Sequence, residues 1–238
     1  MNAYGGIGVG VCLLAMSAGV CAAQTAPMAA DASKSSQPEV SFHFERPGLA
    51  VPRFTLLIRE DGTGTYQAEE APVSSGNAAL QPTTGKHIDR AINLSQPTVA
   101  NLFKTARSLD HFNIECASKA KNIADTGKKT LTYSGTDGHG SCTYNYSENK
   151  SVMSLTDTFQ AIAFTLDEGR RLDYLHRYDR LGLDAEMESL AHEHDMKRAL
   201  ELGTIAPTLT SLANDDALMQ RVRTRAVKLL DQTNDKKQ

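Results

Sequence analysis

The spacing of apolar residues divides the chain into a part with strand-like alternation and a later part with helical periodicity. Residues 41–45 and 53–60 alternate apolar and polar side chains, which is typical of strands with one buried face. Asp61-Gly62 follows the second run, and residues 65–69 resume the alternation. This pattern predicts a hairpin, because Gly readily takes the positive φ that a tight turn requires.

The middle of the chain continues the same pattern. Residues 87–94 predict a further strand, and Ser95 favours the start of a helix because its hydroxyl can cap the first turn. Residues 130–134 and 141–147 flank a glycine-rich stretch at 135–140 and predict a second hairpin.

Helical spacing dominates from residue 151 onward. Apolar residues three and four apart predict a long amphipathic helix from near Ser151 to about Tyr178. Further helices are predicted at 184–202, 205–213 and 216–232. The fold class is therefore α+β: two antiparallel hairpins form a sheet packed by helices, and an all-helical C-terminal region follows. We place the α+β domain at 41–167 and the helical region, packed on it or appended to it, at 168–238.

The N-terminus carries an apolar segment typical of export. Residues 7–23 are small and apolar, and the first charged residue is Asp31. This pattern predicts a signal peptide over 1–23 with cleavage at Ala23, and hence a periplasmic or secreted protein. An uncleaved N-terminal anchor and a lipid-modified Cys21 are the alternatives. Residues 24–40, rich in small and polar residues, predict a flexible leader.

The cysteines fit this compartment. Cys12 and Cys21 fall within the signal segment, which leaves Cys116 and Cys142. An even pair in an oxidising compartment predicts one disulfide between them. Two buried free thiols are the alternative.

Composition narrows the function classes. The 238 residues include 25 Lys and Arg against 28 Asp and Glu, a net charge of −3, which argues against a nucleic-acid partner. Hydrophobic residues make up 40% of the chain, which fits a folded domain. Beyond the signal segment no apolar run reaches the length of a membrane span.

Two stretches resemble known classes of protein. The hairpin at Asp61-Gly62, the Ile92, Leu94, Ser95 entry into a helix, and the second hairpin make residues 53–172 similar to an uncharacterised class of exported bacterial α+β domains. That resemblance implies no activity.

The C-terminal tail resembles a single HEAT-type helical unit. The matching residues are Ile205, Leu209, Leu212 and Asp215, then the stretch 222–226 and Leu229. The resemblance implies a protein-binding surface without catalysis. Since such units stack and no second copy is found, a generic amphipathic helix pair remains the alternative.

Several short motifs are incomplete as chemical sites. Asp125-Thr126-Gly127 resembles the aspartic protease loop, but Lys128 follows it and no second copy exists, so we interpret it as a turn. Gly127 and Lys128 lack the glycine-rich cradle of a phosphate loop, since Asn122 occupies the position of its first Gly.

The remaining polar clusters suggest no cofactor and no metal. His192 and His194, two apart on a helix, point in different directions and cannot easily share an ion, so a solvated helix face is predicted. Tyr144 and Tyr146 are predicted to share a strand face, more plausibly core than binding surface. A basic run that acidic residues flank is interpreted as a solvated helix; it comprises Arg221, Arg223, Arg225 and Lys228.

No complete catalytic constellation emerges. We therefore expect a non-catalytic binding or interaction module, with another extracytoplasmic protein as the partner. The alternative is an exported hydrolase whose site forms only in three dimensions, with His87, His139, Asp125 or Glu115 as candidates. The sequence indicates neither the oligomeric state nor the ligand.

Overall fold

The structure is a computed structural model that describes residues 37–72 and 85–234. The predicted signal peptide, the cleavage point Ala23 and Cys21 lie outside the described residues. So does most of the predicted leader, but its last two residues belong to the first strand, where Val40 is fully buried.

A single six-stranded antiparallel sheet forms the first half of the described chain. Its strands are β1 (Glu39–Glu45), β2 (Arg53–Arg59), β3 (Thr63–Glu70), β4 (Lys86–Asn93), β5 (Lys128–Gly135) and β6 (Gly138–Tyr144). The order across the sheet is β4-β3-β2-β1-β5-β6. Both predicted hairpins are present, and β1 joins them by pairing with β2 on one side and β5 on the other.

The described residues also form five α-helices. They are α1 (Gln96–Ser108), α2 (Lys150–Tyr178), α3 (Leu183–Asp195), α4 (Ala206–Asn214) and α5 (Gln220–Asn234). The α+β prediction is confirmed, and α2 begins and ends within a residue of the expected bounds. Helix α3 ends seven residues earlier than predicted, since the following connection contains Lys197 and Glu201 at positive φ. None of the helices in the described part of the chain is long and apolar enough to cross a membrane.

One face of the sheet packs against α1 and α2. Alternate strand residues such as Phe42, Leu56 and Leu131 are fully buried there, while the residues between them form a polar outer face. Phe42 stacks on Phe159 of α2 with ring centroids 5.1 Å apart. This layer is the first hydrophobic core, and it ends along α2 at Leu166.

A second core lies among α3, α4, α5 and the end of α2, starting at Leu172. Helix α2 contributes residues to both cores. At the junction, a Cβ on Gly169 would come within 2.3 Å of Ile205, so only Gly allows this close approach. Arg90 of β4 also donates to the carbonyl oxygen of Thr204 at 2.8 Å.

The second hairpin differs from the one that the sequence predicts. Gly138 and Gly140 lie in β6, and the turn between the strands is shorter than the predicted 135–140. A Cβ on Gly138 would lie 2.6 Å from the ring of His111. A Cβ on Gly140 would lie 2.5 Å from the carbonyl oxygen of His111. Gly138 and Gly140 therefore allow His111 to pack closely against β6, and they do not form the turn.

That contact involves a strained segment. Asp110, His111 and Phe112 are three consecutive residues in the left-handed region, with φ of 50°, 54° and 68°. Such a conformation is costly for residues with a Cβ. The predicted disulfide between Cys116 and Cys142 is present just beyond it, with the two Cα atoms 5.7 Å apart. It links this connection to β6, at one edge of the sheet.

Candidate functional site

A groove of about 1210 Å³ runs along one face of α2, between this helix and the ends of the first strands. Residues three or four apart on a helix share a face, and the α2 wall extends from Gln160 to Tyr178 in this way. The opposite wall comprises Phe44, Phe54 and the loop at 49–51. The described groove therefore forms where the β1–β2 connection faces the helix.

The inner part of the groove is apolar. Phe44 and Phe54 are directly paired across β1 and β2, with ring centroids 5.2 Å apart. Val51 and Phe164 add partly buried apolar side chains that flank the two cores. A pocket with this lining can hold an apolar group of a ligand away from water.

A buried polar network lies at the side of this apolar surface. The Tyr66 hydroxyl donates to Asp167 Oδ1 at 2.8 Å, and Arg170 donates to the same oxygen at 3.1 Å. Arg170 also donates to Glu70 Oε1 at 2.6 Å. Burial raises the pKa of Asp167 despite these bonds, and it raises the pKa of Tyr66 as well. The network thus joins β3 to α2 and pairs Arg170 with two carboxylates, while Arg170 Nε is buried without a hydrogen-bond partner among the described residues.

Glu168, the residue after Asp167 on α2, has different partners from Asp167. Burial, followed by the hydrogen bond to Glu186 and the charge of that residue, raises the pKa of Glu168 to about 8. Its Oε2 is buried without a hydrogen-bond partner among the described residues. Glu186 in turn forms an ion pair with Arg171, with Arg171 Nε 2.9 Å from Glu186 Oε2. Burial therefore favours the neutral form of the Glu168 carboxyl group.

We expect Glu168→Gln to flatten the dependence of stability on pH. The pKa of Glu168 is raised in the folded protein from its ordinary value of 4.5. The contribution of Glu168 to the free energy of unfolding is therefore complete below pH 4.5. That contribution is lost as the pH rises through about 8. With partial solvent exposure taken into account, the loss is about 1–2 kcal/mol. Gln stays neutral throughout, so the variant should not show this decline.

The measurement is urea unfolding of both proteins between pH 5 and pH 9. Asp157→Asn, at an exposed position of the same helix, is the matched control and should follow the parent curve. Parallel curves for the parent protein and Glu168→Gln would show that Glu168 is ionised at neutral pH.

The four candidate residues of the predicted hydrolase are not brought together. His87 lies on β4 and His139 on β6, at opposite edges of the sheet. Five strand spacings of about 4.8 Å put them about 24 Å apart. Asp125 and Glu115 are exposed residues in the connection between α1 and β5, and neither lines the groove.

The Asp125 motif forms the predicted turn. Asp125 Oδ1 accepts a hydrogen bond from Gly127 N at 2.9 Å, and Gly127 has a φ of +94°. Lys129 is buried and donates to the carbonyl oxygens of Thr126, Gly127 and Asn145 at 2.8 to 3.0 Å. Its ammonium group holds this loop against the sheet and is not available to a phosphate.

The two histidines near the end of α3 lie in different surroundings. His192 is exposed, whereas a ring nitrogen of His194 lies 2.7 Å from the carbonyl oxygen of Ala199. Within residues 37–72 and 85–234, no group of three His, Cys, Asp or Glu side chains has the arrangement of a metal site.

The predictions for the two tyrosines and for the basic run of α5 have different outcomes. Tyr144 is buried and its hydroxyl bonds to Thr156, but Tyr146 is 41% exposed. The prediction that both share a strand face is wrong, because β6 ends at Tyr144. The basic run of α5 forms ion pairs with neighbouring acids, as in the contacts of Arg225 with Asp184 and Glu188.

A smaller cavity of about 250 Å³ lies on the other side of the junction between the cores. Glu201, which lines it, accepts hydrogen bonds from Ser95 N at 2.8 Å and from the hydroxyls of Ser95 and Thr98 at 2.7 and 2.5 Å. The carboxylate caps the first turn of α1. These bonds link the start of α1 to the connection before α4, so the contact is a structural one.

Sequence reasoning missed the residues of the groove. Asp167 and Glu168 follow Phe164 on the flank of an apolar helical stripe, and this unusual placement of two acids was the available signal. Tyr66 could not be linked to them, since it lies on β3, far away along the chain. No protein-family model matches the sequence, and no curated protein matches it either.

Proposed function

We propose that the protein is an exported, non-catalytic binding module whose ligand lies in the groove between α2 and the β1–β2 connection. The observation that carries this proposal is the groove itself, with an apolar interior beside a network in which Arg170 bonds to Asp167 and Glu70. Export is proposed from the apolar N-terminal segment, and the Cys116–Cys142 disulfide supports it because such bonds persist in oxidising compartments.

The groove suits an elongated ligand. From Gln160 to Tyr178 the wall follows α2 for about 27 Å, at about 1.5 Å per residue. The ligand would place apolar groups against Phe44 and Phe54 and polar groups at the rim.

Binding is favoured over hydrolysis by the residues that line the groove. Among its described lining residues none is Ser, Thr, Cys or His, so they include no Ser–His or Cys–His pair. The carboxylate of Asp167 is engaged by Tyr66 and Arg170. The hydrolase alternative also lacks an assembled site at its four candidate residues.

The test uses Nile red, a neutral apolar dye whose fluorescence rises in apolar surroundings. We expect the dye to bind the parent protein, and Ala50→Trp to weaken binding by about tenfold, which corresponds to about 1.4 kcal/mol. Ala50 is an exposed residue of the groove wall, so its replacement narrows the groove without disturbing a core.

Ala91→Trp is the matched control. Ala91 is exposed on β4 and lies outside the groove, so this variant should bind the dye like the parent protein. The sequence has no Trp, so each variant also carries a single fluorescent reporter of its own site. Equal binding by both variants, or no binding by the parent protein, would contradict the proposed function.

A further inference from the structure

The smaller cavity, of about 250 Å³, has a lining that differs from that of the groove. Its described lining comes from the end of β4, the start of α1, the end of α3, the connection before α4 and the end of α5. None of these residues also lines the groove. Pockets for drug-sized ligands measure about 300–1,000 Å³, so this cavity suits a smaller molecule.

The lining of this cavity carries one carboxylate and no fixed cation. Glu201 is the one Asp or Glu among the described lining residues, and none of them is Lys or Arg. The three donors that bind Glu201 are uncharged: Ser95 N, Ser95 Oγ and Thr98 Oγ1. Arg90 bonds to the carbonyl oxygen of Thr204 and does not line the cavity. The charged form of Glu201 therefore meets no opposite charge in the described lining.

The Glu201 carboxylate keeps room for one more donor. Its Oε1 accepts hydrogen bonds from the two hydroxyls, and its Oε2 accepts one from Ser95 N. Each oxygen of a carboxylate offers about two acceptor positions. One position on Oε2 is therefore left over after the contact with α1.

Two uncharged acceptors belong to the same lining. Gln232 Oε1 is buried without a hydrogen-bond partner among the described residues, and such an acceptor costs free energy. His194 Nδ1 lies 2.7 Å from the carbonyl oxygen of Ala199. Because a carbonyl oxygen only accepts, Nδ1 carries the proton and Nε2 is the acceptor of the neutral ring. With Glu201 Oε2, the lining offers three acceptors.

Apolar side chains complete the lining. Leu94 and Leu202, which are 4% and 3% exposed, also face this cavity. Leu94 belongs to the first core and Leu202 to the second. An inorganic cation would make no use of these side chains, whereas a short aliphatic chain would be sheltered from water by them.

We propose that this cavity binds a small primary ammonium compound, with its ammonium group on Glu201 and its aliphatic part against Leu94 and Leu202. A primary ammonium group carries one positive charge and three donors, which equals the three acceptors of the lining. The bound compound would contact both cores. This site is independent of the function proposed for the groove.

The experiment is an NMR titration of the folded, oxidised, ¹⁵N-labelled protein with n-propylammonium chloride. We expect saturable shifts at the amides of 93–95, 201–203 and 232–233, the lining residues. The dissociation constant should be millimolar, as expected for a ligand of so few atoms. The neutral isostere n-propanol should bind at least about tenfold more weakly. Potassium chloride at matched ionic strength should leave these signals in place.

Two variants locate the contacts. Glu201→Gln removes the charge and should weaken binding of n-propylammonium by at least about tenfold, whereas Asp157→Asn, the same change of charge at an exposed position outside the cavity, should not.

Gly203→Leu keeps the bonds of Glu201 to α1. A Cβ on Gly203 would meet no described atom within 4 Å, so the new side chain can occupy space at the cavity and should also weaken binding by about tenfold. Ala100→Leu, at an exposed position of α1 outside the cavity, is its control and should bind like the parent protein.

Three results would overturn the proposal. Equal binding of n-propanol would show that the ammonium group is not recognised. The same shifts with potassium chloride would make this a site for an inorganic cation. Shifts that lie elsewhere, or that persist unchanged in both Glu201→Gln and Gly203→Leu, would show that the cavity is not the binding site. Binding of Nile red to the groove is tested separately and does not depend on any of these results.

Discussion

Removal of the Cys116–Cys142 disulfide is expected to lower the free energy of unfolding by about 3 kcal/mol, the usual effect of releasing a loop of this size. The bond closes a loop with a sequence separation of 26. For a domain of about 200 residues this corresponds to a fall in melting temperature of about 6–12 °C. The physical reason is that the intact bond restricts the unfolded chain.

The structure predicts where the reduced protein opens first. Asp110, His111 and Phe112 hold a costly left-handed conformation, and the nearby disulfide fixes the same connection to β6. We expect hydrogen exchange of residues 110–118 to accelerate on reduction more than exchange in α2.

The variant carrying Cys116→Ala and Cys142→Ala provides the control for the reductant. Its melting temperature should match that of the reduced parent protein and should not respond to reductant. Equal melting temperatures for the oxidised and reduced parent protein would show that the bond contributes no net stability.

Phe159→Ala is expected to cost about 3–5 kcal/mol, the usual range for a buried Phe truncated to Ala. Phe159 is fully buried in the first core and stacks on Phe42 of β1. The variant leaves a cavity between α2 and the centre of the sheet, where the surrounding strands cannot close in.

Chemical denaturation with guanidinium chloride measures this cost. Phe159→Leu should lose much less, because most of the volume is kept, and Asp157→Ala, an exposed neighbour, should be close to neutral. A loss below about 1 kcal/mol for Phe159→Ala would mean that the core repacks around the missing ring. The groove variant Ala50→Trp lies at the margin of the groove and should unfold like the parent protein.

Local patterns in the sequence predicted most elements well. The alternation of Phe42 and Phe44 identified β1, and apolar spacing placed α2 almost to the residue. These local patterns could not predict that β1 lies between the two hairpins. The alternation of apolar and polar residues shows which face of a strand is buried, but it does not show which strand is its neighbour in the sheet. The roles of Gly138 and Gly140 were missed for the same reason, since His111 approaches them from another part of the chain.

The candidate site was predictable only in outline. A binding module was expected in general terms, but the polar network beside the groove joins Tyr66 of β3 to Asp167 of α2. No spacing rule connects residues that far apart. The motifs that stand out in the sequence, such as Asp125-Thr126-Gly127 and His192 with His194, have turn and surface roles instead.

The central position of the first strand has a consequence for the order of folding. Strand β1 pairs with β2 at once, but its other edge stays open until β5 arrives, after β2, β3, β4 and α1. A chain that crosses a membrane with its N-terminus first would expose this edge throughout that interval. Pairings between distant segments form slowly, and an open strand edge promotes aggregation. The second edge of β1 is therefore open to other strands until residues 128–135 emerge.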